Sequence, residues 1–356
     1  KSVYTKPVEL ADGWYWSMKE HLTRSYLYLN SQFTDNNDDR NLRPFKNIVL
    51  PILNIQFRLE GFDVKDIELY VDNPDEYFKS LLIKKFHQKW ALDNEIDTFI
   101  DETTESYCIY GGVLARKTDK AKPEVIDLRN LAFANQTDIL AYPFAIRHKY
   151  SPSQLRKANK KWGRTDSGAT IDIEGLIALA KKEGDKEIEV FEVHGLMPTE
   201  WLNDNDPDNL NEEEKDIQQI QVVSFYKKEN GDKQGVTLFK NREPELPFKF
   251  LSRDNVEGRA LGRGGVEELF ESQVWTNWDE IKITEMLNSA SKTLHFSDDP
   301  SFKARNNLTN ADNNEVFALQ EGRKIQQLDT YPRNLQVFND SVERWQRQAQ
   351  LLGSAT

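Results

Sequence analysis

An α+β fold follows from three features of this 356-residue sequence. Large apolar residues recur at helical spacing in several long stretches, the mark of amphipathic helices. Between residues 185 and 257 the texture changes to short alternating runs bounded by Gly, Asn and Asp, which reads as antiparallel strands. The third feature is Glu257-Gly-Arg-Ala-Leu-Gly-Arg-Gly-Gly-Val266, a glycine-rich entry to the longest helical pattern, reaching about Lys292. Apolar residues recur there at Val266, Phe270, Val274, Trp278 and Ile281. Glu267, Glu268 and Glu271 sit near its start, where negative charge suits the helix dipole. Such a helix would be roughly 40 Å long at 1.5 Å per residue, and it reads as a strut entered through a hinge.

Composition sets limits. Hydrophobic residues make up 38%, below the usual ~45–50%, so one large compact core is not expected. The 19 Phe, 12 Tyr and 8 Trp still supply large buried surfaces and argue against disorder. No apolar run approaches the ~18 residues of a membrane span. Lys1-Ser-Val-Tyr lacks the pattern of a signal peptide and reads as a trimmed start. Cys108 is the single cysteine, which excludes an internal disulfide framework and any multi-cysteine zinc site. A net charge of -12 argues against a tight grip on nucleic acid, because that affinity comes from neutralising phosphates. It does not argue against letting nucleic acid slide past.

Taken in order, Leu10, Trp14, Met18, Leu22, Tyr26 and Leu29 predict a helix within 8–33, followed by a polar loop over 34–40. A second helix is predicted over 45–57, then an alternating strand over 64–71. Phe78, Leu82, Phe86, Trp90, Ile96 and Phe99 predict the buried side of one long helix over 75–104. Tyr110-Gly-Gly-Val-Leu-Ala115 turns into a strand, with 124–128 as its antiparallel partner. An extended segment over 142–150 leads into Ser151-Pro152-Ser153, a helix start with Ser at the cap and Pro in the first turn. Another helix is predicted over 171–182. Strands follow over 188–193, 217–226 and 236–239, with Asn230-Gly231-Asp232 supplying hairpin-turn chemistry. The acidic run 203–216 lacks the central Gly of a calcium loop and reads as an insertion between strands. After the long helix come short strands over 293–296, 316–319 and 325–328, and a helix over 335–352. Ending just after a strong helix, the chain is expected to continue in the intact protein.

No constellation of residues makes a convincing active site. His21, His87, His148, His194 and His295 are scattered and read as packing or surface residues. Glycines 258, 262, 264 and 265 lack the Lys-Ser/Thr of a phosphate loop and miss the G-x-G-x-x-G spacing. Cys108 has no neighbouring His to activate it. Asp298/Asp299 and Asp38/Asp39 could each hold a metal but read as solvated acids. The chain is therefore expected to be neither an enzyme nor dependent on a cofactor or metal. Lys157, Lys160 and Lys161, with Arg156 and Arg164, form the one compact basic cluster. It reads as a solvated helix face, or else as a contact for DNA phosphate or an acidic partner.

The order of these parts resembles the portal protein of tailed double-stranded DNA bacteriophages. Gly258-Arg-Ala-Leu-Gly-Arg-Gly-Gly265 with Glu268, Leu269, Gln273 and Asn277 is similar to the entry of that family's second stem helix. Tyr142-Pro-Phe-Ala-Ile-Arg-His-Lys-Tyr150 with Ser-Pro-Ser-Gln-Leu155 resembles the lead into the first. Glu315-Val-Phe-Ala-Leu-Gln-Glu-Gly-Arg-Lys-Ile325 resembles the strand–Gly–strand before the tunnel loop and helix. The resemblance covers about 40–353; the family continues through the tunnel helix into a crown, which is expected to be missing or disordered here. It implies the N-terminal part of a wing at 1–150, a first stem helix region at 151–184 and a β-rich clip at 185–257. The second stem helix would be 258–293, with the rest of the wing and the start of the tunnel helix at 294–356. Arg259, Gly262, Arg263, Gly264, Gln273 and Asn277 would serve the stem and subunit contacts, and Tyr331, Arg333 and Asn334 the tunnel-loop region. The arginines would meet a neighbour's acids or the DNA, or simply lie on the surface.

The resemblance further implies a homo-oligomeric ring, usually of twelve, at one capsid vertex of the virion, assembled in the host cytoplasm. Its partners would be the DNA passing through, the terminase large subunit, the head-tail adaptor and tail proteins, and the major capsid protein. The alternatives are a head-tail adaptor or other virion structural protein, and a phage DNA-processing enzyme.

Overall fold

A computed structural model describes residues 8–34, 43–69, 77–118, 122–133, 137–162, 173–184, 187–202, 215–227, 233–290, 294–299, 301, 321–328 and 335–354. It is an α+β protein made of two compact units. The first takes in residues 1–30 and 50–268, the second residues 31–49 and 269–355.

The first unit opens on a hairpin, β1 (Val8–Ala11) and β2 (Trp14–Trp16), rather than on the predicted helix. Gly13, at φ 77°, makes the turn, and Ser17 caps the shorter α1 (Met18–Leu29) by accepting from the Glu20 amide. Next comes α2 (Val49–Glu60). The strand expected at 64–71 is instead a single 3-10 turn, Val64–Asp66, held by reciprocal caps between Asp63 and Asp66. One long helix over 75–104 becomes two, α3 (Tyr77–Asp93) and α4 (Ile96–Tyr110). The break falls at Asn94-Glu95, where Glu95 takes φ 50° and the Asn94 side chain bonds the Trp90 carbonyl at 2.8 Å. Asn competes in this way with helix continuation.

Gly111 ends α4 in the left-handed region and starts β3 (Gly112–Arg116). This strand pairs with β4 (Glu124–Ile126), as predicted. It also pairs on its other side with β10 (Phe248–Ser252), which the sequence pattern did not reveal. The second sheet has five antiparallel strands in sequential order: β5 (Leu131–Phe133), β6 (Phe144–Tyr150), β7 (Ile188–Pro198), β8 (Asp216–Lys227) and β9 (Lys233–Arg242). The strands expected as a self-contained block at 185–257 thus share their ladders with strands from before residue 151. The hairpin turn at 228–232, the acidic run at 203–214 and the strand at 316–319 lie outside the described residues.

Residues 151–184 carry the two separate helices that the sequence pattern predicts, α5 (Pro152–Trp162) and α6 (Ile173–Glu183), eleven residues each. Leu155, Leu176 and Ile177 pack onto Ile188, Val190, Val222, Val236 and Leu238 of the five-stranded sheet. Their apolar stripes are spent on that sheet face, the common α+β solution for a one-sided sheet.

The second unit contains most of α7 (Gly265–Ala290), the hairpin β11 (Leu294–Ser297) with β12 (Ile325–Leu328), and α8 (Leu335–Ser354). Beyond Phe270, α7 does not bury the stripe its apolar spacing predicts. Gln273 and Thr276 are fully buried and Ser272, Asn277 and Asp279 nearly so, while Trp275 and Trp278 are 42% and 45% exposed. The two tryptophans face α8, Trp275 stacking on Trp345 and Trp278 tilting against Phe338.

Candidate functional site

The glycine-rich entry to α7 is a junction rather than a hinge. Gly262 and Arg253 both donate backbone hydrogen bonds to the Gly111 carbonyl, at 3.0 and 2.9 Å, and the Arg263 amide donates to Asp254 at 3.2 Å. Two chain segments, 109–112 and 262–265, therefore meet backbone to backbone. A Cβ on Gly264 would run into the Ile109 carbonyl, and one on Gly111 would lie 2.5 Å from that of Gly262. Only glycine permits such an approach.

Arg259 is turned into this junction. It is 8% exposed, forms a two-pronged ion pair with Glu267 at 2.9 Å on each arm, and lies over the Trp16 ring. Its terminal nitrogens are held within the chain, by Glu267 and the Gly262 carbonyl. Arg263 is exposed. Beneath the junction, Arg253 pairs with Glu60 at 3.3 Å, and Glu60 accepts from the Cys108 thiol at 3.3 Å. Burial, then the Glu60 contact, pushes that thiol up to about 12, so it keeps its proton near neutrality.

Gln273 and Asn277 are likewise used within the chain. Gln273 accepts from the Ile48 amide at 2.8 Å and donates to the Lys46 carbonyl at 2.7 Å and to Asn277 at 3.0 Å. Asn277 accepts from the Lys46 amide at 3.0 Å. The pair supplies segment 46–48 with the partners that a neighbouring strand would otherwise give it. Gln273→Ala leaves the buried Ile48 amide and the part-buried Lys46 carbonyl without this partner, at an expected cost of about 1–3 kcal/mol. Hydrogen exchange checks this directly: the Ile48 amide loses protection, and unchanged protection would disprove the role.

Side chains far apart in sequence converge between the three-stranded and five-stranded sheets of the first unit. Period-two alternation puts Ile188, Val190, Glu192 and His194 on one face of β7. The first two feed the apolar core, and the last two are almost fully buried. Arg116 of β3 grips Glu192 with two bonds, at 2.8 and 3.2 Å, and His148 Nε2 lies 2.9 Å from the same carboxylate. His194 Nδ1 meets Glu243 at 2.8 Å, while its Nε2 faces Glu192 at 3.3 Å, off the line of a good hydrogen bond. Phe248 closes edge-on against His194 and Phe144.

Burial works to raise the Glu192 carboxyl, but the two histidines and Arg116 outweigh it and hold it far below the usual carboxylate range. Burial also opposes charge on His194, yet Glu192 and Glu243 together raise its pKa above the ordinary 6.5. The sequence did carry a signal here: charged residues at 192 and 194 continue the apolar phase of 188 and 190.

This cluster borders a cleft of about 1440 Å3, lined also by Lys117, Tyr150, Lys157 and Trp162. Of the predicted basic residues, Lys157 reaches the cleft and Lys160 is exposed on the same helix. Arg156 is paired with Glu174. Tyr331, Arg333, Asn334 and Arg164 lie outside the described residues. Among the described residues, no group of three or more His, Cys, Asp or Glu could hold a metal ion. The cluster's charges are spent on one another, which makes it a staple between sheets.

The class these observations define is an α+β protein whose long helix is locked at a glycine junction and whose three- and five-stranded sheets are joined by buried charge. No protein-family model matches the chain, and no curated protein does. Among solved structures it is similar to a chain of the "Virion of native gene transfer agent (GTA) particle" at 8% identity and a TM-score of 0.32. The match covers 72% of this chain and 54% of that one. The chain thus spans about half the length of the solved chain it matches, and a TM-score this low carries no argument about role.

Proposed function

We propose that this chain is a virion structural protein, and specifically a subunit of a portal-type ring through which double-stranded DNA enters and leaves a capsid. What supports the reading most is the 26-residue α7 launched from a glycine junction, with the Gly258–Gly265, Gln273 and Asn277 pattern that resembles a portal stem entry. The second support is electrostatic. A ring of chains each carrying -12 repels phosphates on balance, and passage without regard to sequence needs that weak grip.

On this reading α7 is the stem helix, and the five-stranded sheet with α5 and α6 replaces the separate first stem helix and clip expected from the resemblance. DNA, the terminase, a head-tail adaptor and the major capsid protein are the proposed partners, and the capsid vertex the proposed location. Light scattering on the purified chain, with particle imaging, is the test. A homogeneous ring with a central hole is expected; a monomer at every concentration would overturn the proposal.

A further inference from the structure

We infer that α3 is a docking face for a second copy of this chain, joined head to tail with the neighbour's α2 and α4. The inference rests on the ring reading and specifies one contact within it. Sequence spacing marked Phe78, Leu82, Phe86 and Trp90 as the buried side of this helix, and the structure turns that side outward. Phe78 is 79% exposed, Leu82 67%, Phe86 72%, Trp90 41% and Leu92 75%. The side packed inward, against Val64 and the start of α4, is instead the small one around Ala91. With Leu81 and Ile83 also exposed, the apolar arc covers more than half the helix circumference.

A lone soluble protein rarely leaves a contiguous apolar patch above a few hundred Å2. Side chains this large and this exposed approach the roughly 800 Å2 that one partner covers in a standard interface. A second copy, rather than another occupant, is favoured by charge. Lys85 and Lys89 are exposed on α3 within a chain of net charge -12. The same unit offers the complement elsewhere: Asp97, Asp101 and Glu105 are exposed at four-residue spacing along one side of α4. Ile55 and Leu59 of α2, with Phe62 just beyond it, are 55%, 70% and 53% exposed. One chain bearing an apolar–basic helix, an acidic helix side and further exposed apolar residues can join copies head to tail, the kind of contact that closes into rings.

The full chain tests this, with assembly followed by light scattering and folding by circular dichroism. Phe78→Asp with Phe86→Asp is expected to raise the concentration needed for assembly by about 100-fold or more while the spectrum stays unchanged. Lys85→Glu with Lys89→Glu is expected to block assembly, as is Asp101→Lys with Glu105→Lys. Mixing these two charge variants should restore assembly, because each face then meets its opposite in the other chain. If the phenylalanine variant assembles like the parent, or mixing restores nothing, the docking assignment is overturned while the ring reading stands. A parent that never assembles overturns both. Binding of the parent to phosphatidylserine vesicles, lost in the Lys85→Glu, Lys89→Glu chain whose assembly is unimpaired, would make α3 a membrane-surface helix and overturn the inference.

Discussion

Replacing Gly264 with alanine is expected to lower the stability of the first unit by about 3 kcal/mol or more, at the upper end of what overpacking costs. The added Cβ would strike the Ile109 carbonyl and lie 2.7 and 2.8 Å from the Tyr110 carbonyl carbon and the Gly111 nitrogen. All three are backbone atoms, and no rotamer change can move them aside. Relief requires parting segments 109–112 and 262–265, which breaks the hydrogen bonds that Gly262 and Arg253 donate to Gly111. It also shifts the first turn of α7, whose Glu267 holds Arg259. For a unit of this size the unfolding midpoint should fall by on the order of 10 °C. Arg263→Ala is the control: that residue is one position away but exposed, and exposed substitutions usually change stability by within about 0.5 kcal/mol. Equal midpoints for the two variants would refute the backbone-contact account.

The second large effect is expected from Glu192→Gln. This carboxylate is 7% exposed and shared by Arg116, His148 and His194. Neutralising it leaves the partly buried Arg116 charge without its partner, at an expected cost of about 3 kcal/mol, the low end for losing one partner of a buried pair. The pH dependence carries a separate signature. Because the Glu192 pKa is lowered on folding, its contribution is present above the ordinary 4.5 and is lost as pH falls toward the folded value. Because the His194 pKa is raised, its contribution is complete below 6.5 and is lost as pH rises through the folded value. The parent should therefore be most stable between those limits and decline on either side. In Glu192→Gln the acid-side decline should shrink, and the alkaline one should weaken because only Glu243 still favours the His194 charge. Denaturant titrations from pH 3 to about pH 9 measure both arms. Parallel curves for parent and variant would show that the cluster does not couple to folding.

Much of the fold was legible in the sequence because it depends on local rules. The cap at Ser151, the β3–β4 pairing, the strands at 188, 217 and 236, and the helices ending near Glu183 and Ser354 all lie where period, caps and turn residues place them. Periodicity could not say which side of a helix the rest of the molecule covers. In α3 the apolar side faces solvent, and in α7 the polar side is buried because Gln273 and Asn277 supply backbone partners to residues 46–48. The glycines were legible as a special stretch, but a pliable hinge and a tight junction share one sequence signature. Which of the two they form depends on whether another backbone lies against them.

The sequence by itself determined an α+β chain with a long glycine-entered helix, a single cysteine and an acidic balance, because propensity, spacing and composition are properties of neighbours along the chain. Only the tertiary structure decided that Arg116, His148, Glu192, His194 and Glu243 share one buried site, that β10 pairs with β3, and that α5 and α6 lie on a sheet. Those outcomes depend on contacts between residues up to 140 positions apart, as in Gly112 with Ser252. Contacts of that range form only when burial elsewhere offsets the entropy of closing the loop between them.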